Sequence, residues 1–208
     1  SNEFGSKVLF NYGPKVSADA EVKFWNSITA STKSFIAGAS YSAGVKAYAA
    51  ALPVGNFDGV IANVLAQDGV IQTPNIITGT TITPANIAAE YANTFKATNM
   101  GDLLASTDGG PVYFYAPLNH RQLILIANNS VGAAQQINFL VSGDTFSYNG
   151  VEIKFVPLMS DVILAHKMDR IFWCTDLLGD ENMFNVDKKS NDSDVQFVRS
   201  IYTLTAHV

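Results

Sequence analysis

Charged side chains are scarce in this sequence. Only 15% of its 208 residues are Asp, Glu, Lys or Arg, whereas soluble domains average about 25%. Hydrophobic residues make up 48% and the formal net charge is −5, which excludes an intrinsically disordered chain. The pI of about 5.0 excludes the basic footprint of a typical nucleic-acid binder. Monomers usually keep charge on their surface for solubility, so scarce charge favours a chain that buries surface against its own copies.

Cysteine and long hydrophobic runs are also lacking. Cys174 is the single cysteine, which excludes a disulfide scaffold. The hydrophobic runs are far shorter than the ~20 residues that cross a bilayer, so we expect no membrane association. The first residues lack the basic-then-apolar pattern of a secretory signal. Together with the single thiol, this favours a reducing cytoplasm.

Hydrophobic periodicity predicts helices mainly in the first half of the chain and strands in the second. A stripe at three- and four-residue spacing predicts one long helix over residues 17–36, with Trp25 and Phe35 buried against the C-terminal sheet. The Asn149-Gly150 pair predicts a β-hairpin. The other predicted helices cover residues 43–51, 60–65, 84–101 and 117–126, and the predicted strands cover residues 111–116, 151–156, 162–165, 170–174, 183–188 and 195–206. This order favours an α+β fold over regular α/β alternation.

The sequence carries no arrangement typical of catalysis or of metal or cofactor binding. Its three histidines, His120, His166 and His207, lie at no metal-ligand spacing, and we expect them to pack or to face solvent. Bulky apolar neighbours predict that Cys174 is a buried, inert thiol. No nucleophile elbow, phosphate-binding loop or zinc-protease motif is present. We therefore expect a protein that is not an enzyme, with no catalytic, metal or cofactor-binding residues.

An acidic stretch near the C-terminus is the strongest charged feature. Its carboxylates lack the Gly and Glu positions of a calcium loop, and two lysines lie among them. The pattern is typical of solvated turns around strands, with a cation site and a charge contact between subunits as alternatives. The candidate subunit-contact residues are Asp176, Asp180, Glu181, Lys188 and Lys189.

Six segments of the chain follow one another in a distinctive order. They are NFDGVI (56–61), VYFYAP (112–117), FSYNGVEIKFVP (146–157), VILAH (162–166), RIFWCTDL (170–177) and VQFVRSIYTLTA (195–206). This order resembles that of tailed-bacteriophage major capsid proteins, most closely in their C-terminal part. The resemblance implies the phage coat-protein fold, which encapsulin shells share. That fold has a peripheral domain, with a long spine helix and a long antiparallel sheet, and an axial domain, with a central sheet flanked by helices.

The resemblance also implies how the chain is divided. Residues 1–59 would form part of the peripheral domain, with the spine helix at residues 17–36. Residues 60–164 would form the axial domain, and residues 165–208 would return to the peripheral sheet. Family members carry an N-terminal arm and an extended loop before the spine helix, and we expect this chain to be a core that lacks both.

The function that the resemblance implies is structural. We expect a subunit of a bacteriophage head that self-assembles into an icosahedral shell around packaged DNA, located in the virion capsid and made in the bacterial host cytoplasm. The expected partners are copies of itself and scaffold or portal proteins, with DNA nearby but not specifically bound. Two alternatives are an encapsulin-like cargo shell and a non-enzymatic phage or surface adhesin domain, which the Asn-, Thr- and aromatic-rich composition suits.

Overall fold

The computed structural model describes residues 2–38, 41–67, 79–96, 98–105, 110–130, 139–158, 162–174, 184–188, 196–200 and 205–207. The helices in these stretches are α1 (Asn2–Asn26), α2 (Ala30–Gly38), α3 (Ala43–Ala51), α4 (Val60–Gln67), α5 (Ile87–Phe95), α6 (Thr98–Ala105) and α7 (Asn119–Ser130). The strands are β1 (Val112–Pro117), β2 (Phe139–Ser142), β3 (Thr145–Tyr148), β4 (Val151–Val156), β5 (Leu164–Lys167), β6 (Phe172–Cys174), β7 (Phe184–Lys188), β8 (Gln196–Ser200) and β9 (Thr205–His207). The predicted α+β class is confirmed.

The first five strands form one mixed sheet in the order β2-β3-β4-β1-β5. Strands β1 and β4 are parallel, and the other neighbours are antiparallel. Two tight turns build the β2-β3-β4 meander. Asn149 and Gly150 both have positive φ, of 49° and 85°, as a type I′ turn requires, so the predicted hairpin is confirmed. Gly143, with φ of 60°, takes the first central position of the β2–β3 turn, where glycine is favoured in the II′ type.

Each face of the central sheet carries a hydrophobic core, because successive side chains of β1 point to opposite faces. Phe114 and Ala116 enter the core shared with α5 and α7. Tyr115 enters the core shared with the first four helices, where its ring centre lies 5.3 Å from that of Trp25. The sheet therefore lies between two helical layers, and β1 contributes to both cores.

The predicted helix over residues 17–36 is wrong as a single element. The structure ends α1 at Asn26 and starts α2 at Ala30, and α1 begins much earlier, at Asn2. Trp25 is buried as expected, whereas Phe35 is 51% exposed, so the expectation that Phe35 is buried is also wrong. Because residues 27–29 are not helical, the three- and four-residue spacing of the stripe does not continue into α2, where Ile36 and not Phe35 is buried.

Contacts from a distant loop hold the break between α1 and α2. Ile28 forms a β-bridge with Val54. Thr29 is the N-cap of α2, since its side-chain oxygen accepts a hydrogen bond from the backbone N–H of Thr32 at 3.2 Å. Asp58 accepts from the Thr29 backbone N–H and from the Thr32 hydroxyl, both at 2.6 Å. Asp58 thus serves the N-cap as the acidic residue of a capping box does, but from outside the helix.

The C-terminal strands form two separate ladders. Strand β6 pairs with β9, and β7 pairs with β8, all antiparallel. The single strand predicted over residues 195–206 is instead two strands, β8 and β9, which have different partners. Strand β9 lies against α1 and α4, so this C-terminal strand returns to the helical layer formed by α1 to α4. The division of the chain into peripheral and axial parts, with boundaries after residues 59 and 164, stays a prediction.

Candidate subunit-contact surface

The charged residues predicted from the sequence fall almost entirely outside the described part of the chain. Asp176, Asp180, Glu181 and Lys189 lie outside it. Lys188 is placed only as the last residue of β7, where its backbone belongs to the β7–β8 ladder. A charge contact between subunits at these residues therefore stays a prediction.

The histidine in α7 packs among aromatic rings. His120 is fully buried, and its Nδ1 lies 3.3 Å from the Tyr91 hydroxyl oxygen. The Tyr91 ring also packs edge-on against Phe114 and Phe139, at centroid distances of 5.5 and 5.1 Å. Burial raises the pKa of the Tyr91 phenol far above its usual range, so this phenol stays neutral. The structure therefore gives His120 the packing role expected for it.

The described residues bring no metal-binding group together. Within these residues, no cluster of three His, Cys, Asp or Glu side chains could hold a metal ion. His166, which lies in β5, contacts the backbone carbonyl of Lys167 through its Nδ1 at 2.9 Å. None of the helices in the described stretches is both long and apolar enough to cross a bilayer.

Helix α7 exposes hydrophobic side chains on the face that points away from the core. Ile124 is buried, whereas Leu125 and Ile126 are 40% and 52% exposed, and Leu118, just before the helix, is 62% exposed. Arg121 is the only charged residue within α7. Asn119, Arg121, Gln122 and Asn129 are also exposed, so this face mixes hydrophobic and polar side chains, as surfaces that contact another protein do.

Arg121 fastens α7 to the turn between β2 and β3. Its Nη2 donates a hydrogen bond to Asp144 Oδ1 at 2.6 Å, and its guanidinium carbon lies 5.6 Å from the centre of the Phe146 ring. Leu118 and Leu125 lie three residues before and four residues after Arg121, so they share its flank of the helix. The two exposed leucines therefore share the flank of α7 from which Arg121 reaches the β2–β3 turn.

Strand β2 is the outermost strand at this side of the sheet. Its residue Leu140 is 69% exposed, whereas Phe139 is buried on the opposite face. The strand reads Phe-Leu-Val-Ser and contains no charged residue. We call Leu118, Leu125 and the strand Phe139–Ser142 the β2 margin. Its strand is uncharged and exposes Leu140, and the exposed Arg121–Asp144 ion pair lies between the strand and the two leucines of the α7 segment.

A polar row lies beside Leu140 on the same face of the sheet. The strand registers align Leu140 with Ser147, Glu152 and Tyr113 on the neighbouring strands. Lys154 neutralises this row, since its Nζ lies 2.5 Å from a Glu152 carboxylate oxygen and 4.9 Å from the centre of the Tyr113 ring. The opposite charges cancel locally, so this face presents no strong field to a charged ligand.

The β2 margin is not among the features predicted from the sequence. The predicted helix at residues 117–126 has no outer face assigned to Leu125 and Ile126, and no strand is predicted at residues 139–142. The signal for the strand was the uncharged run Phe-Leu-Val before the Gly143-Asp144 turn. The signal for the exposed face is the run of four hydrophobic residues at 123–126, because four consecutive positions span about 300° of a helix and cannot all point to the core.

Comparison of this protein with protein-family models, with curated proteins and with solved structures gives no match. The functional proposal therefore depends on the surface of the described residues and on the order of the sequence segments.

Proposed function

We propose that this chain is a structural subunit of a bacteriophage head, which self-assembles into an icosahedral shell around packaged DNA. The observation that carries this proposal is the β2 margin. It presents Leu118, Leu125 and Leu140 to solvent along an edge that contains no charged strand residue. In a protein with so little charge, a surface of this kind favours contact with other copies over a free monomer.

The arrangement of the fold supports the coat-protein architecture within this proposal. Helix α1 has 25 residues, with Pro14 inside it, and at the rise of a straight helix it would be about 37 Å long, a length that suits a spine helix. Strand β9 lies against α1, as expected for a C-terminal strand that returns to the peripheral domain. The five-stranded sheet between two helical layers suits the axial domain. In this proposal α1 replaces residues 17–36 as the spine.

The charge of the chain suits an inner surface that does not hold DNA. With a net charge of −5, the chain would gain little from phosphate contacts, whereas a basic lining would bind the genome tightly. An encapsulin-like shell would have the same fold and would enclose protein cargo. The contents of purified particles distinguish the two shells.

Electron microscopy and sedimentation of the full-length gene product test the proposal. We expect closed particles, and we expect them to contain nucleic acid when they are purified from infected cells. Particles filled with protein would favour the cargo shell. A product that stays monomeric at every concentration and salt condition tested would contradict the proposal, and glycan binding by that monomer would favour the adhesin.

A matched pair of variants tests whether the β2 margin makes the contact. Leu118→Glu places a charge on the margin at a side chain that is 62% exposed, and we expect it to abolish particles. Met168→Glu changes a side chain of similar exposure, 56%, outside the margin, and we expect particles to persist. Both variants should keep the wild-type circular dichroism spectrum. Equal loss of particles in the two variants would contradict a role for the margin.

A further inference from the structure

Strand β2 has no charge, proline or bulge to prevent unwanted strand pairing, and only its length of four residues limits such pairing. Exposed edges commonly carry a Lys, a Pro, a bulge or an inward-pointing charge. Strand β2 contains none of these residues, and its pairing with β3 runs without a bulge over all four positions. Within the described residues, no strand pairs with its outer side. An unprotected, uncharged edge of this kind is suited to accept a strand.

The turn between β2 and β3 determines which backbone groups point outward. Because the turn has two residues, Ser142 and Thr145 flank it as a hydrogen-bonded pair. Hydrogen-bonded and non-hydrogen-bonded pairs alternate along an antiparallel ladder. The N–H and C=O groups of Leu140 therefore point to β3, and those of Phe139 and Val141 point to the open edge.

We propose that β2 pairs with β2 of a second copy, antiparallel about a two-fold axis. In this register Phe139 of each copy faces Val141 of the other, and each such pair exchanges two hydrogen bonds. Leu140 then lies directly opposite Leu140 of the second copy, in a non-hydrogen-bonded position where side chains are closest. The two sheets join into one continuous sheet, with five strands from each copy.

The strand itself argues for an identical partner. A two-fold axis places the residue on the axis opposite its own copy and brings the two identical strands side by side, which is unfavourable wherever the strand is charged. Strand β2 has no charge to repel its copy, and its most exposed side chain, Leu140, becomes the one that the axis buries. The outward groups at Phe139 and Val141 are two residues apart, as the self-paired register requires.

The contact is small, which suits a shell better than an isolated dimer. Four residues of strand span about 13 Å, so pairing them buries much less than the ~800 Å² per partner of a standard interface. Leu140, which is 69% exposed, supplies the apolar area that the pairing buries on the axis. Since its partner is another copy of the chain, the pairing rests on the proposed self-association.

Disulfide trapping tests the register in a Cys174→Ser background. Leu140→Cys places two thiols opposite each other at a Cα separation of about 4.5 Å, which a disulfide can bridge. We expect mild oxidation to give a covalent dimer at least tenfold faster than in the matched control Ser142→Cys. In the control the two cysteines are four positions out of register, about 13 Å apart, although the site is exposed on the same strand.

A charge variant provides a second measurement. Leu140→Lys places like charges face to face on the axis, and we expect it to weaken self-association at least tenfold, whereas Ser142→Lys should have a smaller effect. Equal crosslinking at the two cysteine positions would overturn the pairing. Particles that assemble normally while the Leu140→Cys thiols stay uncrosslinked would overturn the pairing but leave the proposed function intact. A crosslinked dimer whose full-length product never forms particles would support the pairing and contradict the proposed function.

Discussion

Replacing Gly59 with alanine tests the packing that separates α1 from α2. A Cβ atom at this position would lie 2.6 Å from the carbonyl oxygen of Phe24, 2.9 Å from that of Lys23 and 3.0 Å from the backbone nitrogen of Ser27. All three are main-chain atoms at the end of α1, so no side-chain rotation can relieve the clash. The loop would have to move away from the helix.

The expected loss of unfolding free energy follows from the overpacking and from the hydrogen bond that this movement weakens. Overpacking in a well-packed site destabilises by about 1 to 3 kcal/mol. Moving the loop also weakens the hydrogen bond from the Gly59 N–H to the Ser27 carbonyl, now 2.7 Å long, which contributes about 1 kcal/mol. We expect Gly59→Ala to lose about 2 to 4 kcal/mol of unfolding free energy. For a chain of this size, the melting temperature would fall by about 5 to 15 °C.

Urea unfolding followed by circular dichroism and tryptophan fluorescence measures this loss. Trp25 is a suitable probe because it is buried beside the affected loop. Gly101→Ala is the matched control, since a Cβ there meets nothing within 4 Å and α6 gains a better helix former. We expect the control to be unchanged or up to about 1 kcal/mol more stable. A Gly59→Ala variant within 0.5 kcal/mol of wild type, a margin of about twofold in the folding equilibrium, would refute the close packing of this loop.

Three further predictions concern the polar and aromatic contacts. Asp58→Ala should lower the free energy of unfolding in urea by about 2 kcal/mol, because α2 loses the carboxylate at its N-cap. Its control, Asp144→Ala, breaks only an exposed ion pair and should change this free energy by less than ~0.5 kcal/mol. Tyr91→Ala should cost about 3 to 5 kcal/mol and Tyr91→Phe about 1 kcal/mol, and equal losses would show that the ring contacts contribute little. Burial, with the nearby negative charges of Tyr113 and Asp169, raises the pKa of Tyr115 from 10.0 to about 12. The unfolded chain therefore loses this proton first, and stability should fall as pH rises from 10 to 12, by up to about 1.4 kcal/mol per pH unit, less steeply in Tyr115→Phe.

Local signals predicted the elements whose geometry is set by adjacent residues. The Asn149-Gly150 turn needs only two residues with positive φ, and its flanking strands follow from alternation. Helix α3 begins where Ser42 caps it, with the Ser42 side chain accepting from the Val45 N–H. These features depend on contacts within a few residues, so a reading of the sequence could place them.

The break between α1 and α2 could not be predicted in the same way. The hydrophobic stripe passes through Ile28 without interruption, and no proline or glycine marks the break. Its causes lie more than twenty residues away, in the bridge from Ile28 to Val54 and the hydrogen bond that the Thr29 N–H donates to Asp58. The stripe also did not reveal that Phe35 is exposed, because periodicity identifies a common face but not whether another element covers it.

The subunit-contact candidates show a related limit. A sequence shows directly where charged residues cluster, and the candidates therefore lie in the acidic stretch with Lys188. It does not show whether a given leucine is exposed or buried. Leu140 is recognisable only after the sheet order makes β2 an edge, and Leu125 only after Arg121 orients α7. A contact surface made of hydrophobic residues is therefore determined by topology more than by composition.

The scarcity of charge and the position of the β2 margin both favour contact with a second copy of the chain. Helical layers bury β1 from both faces, so the centre of the sheet contributes little to the surface. At the β2 edge, by contrast, Leu140 is exposed on one face and the flank of α7 exposes Leu118 and Leu125 on the other. A monomer that remained free would need charge at such an edge, both for solubility and to prevent strand pairing. The edge carries none in its strand, and a second copy with the same uncharged strand satisfies its hydrogen bonds and covers its leucine together.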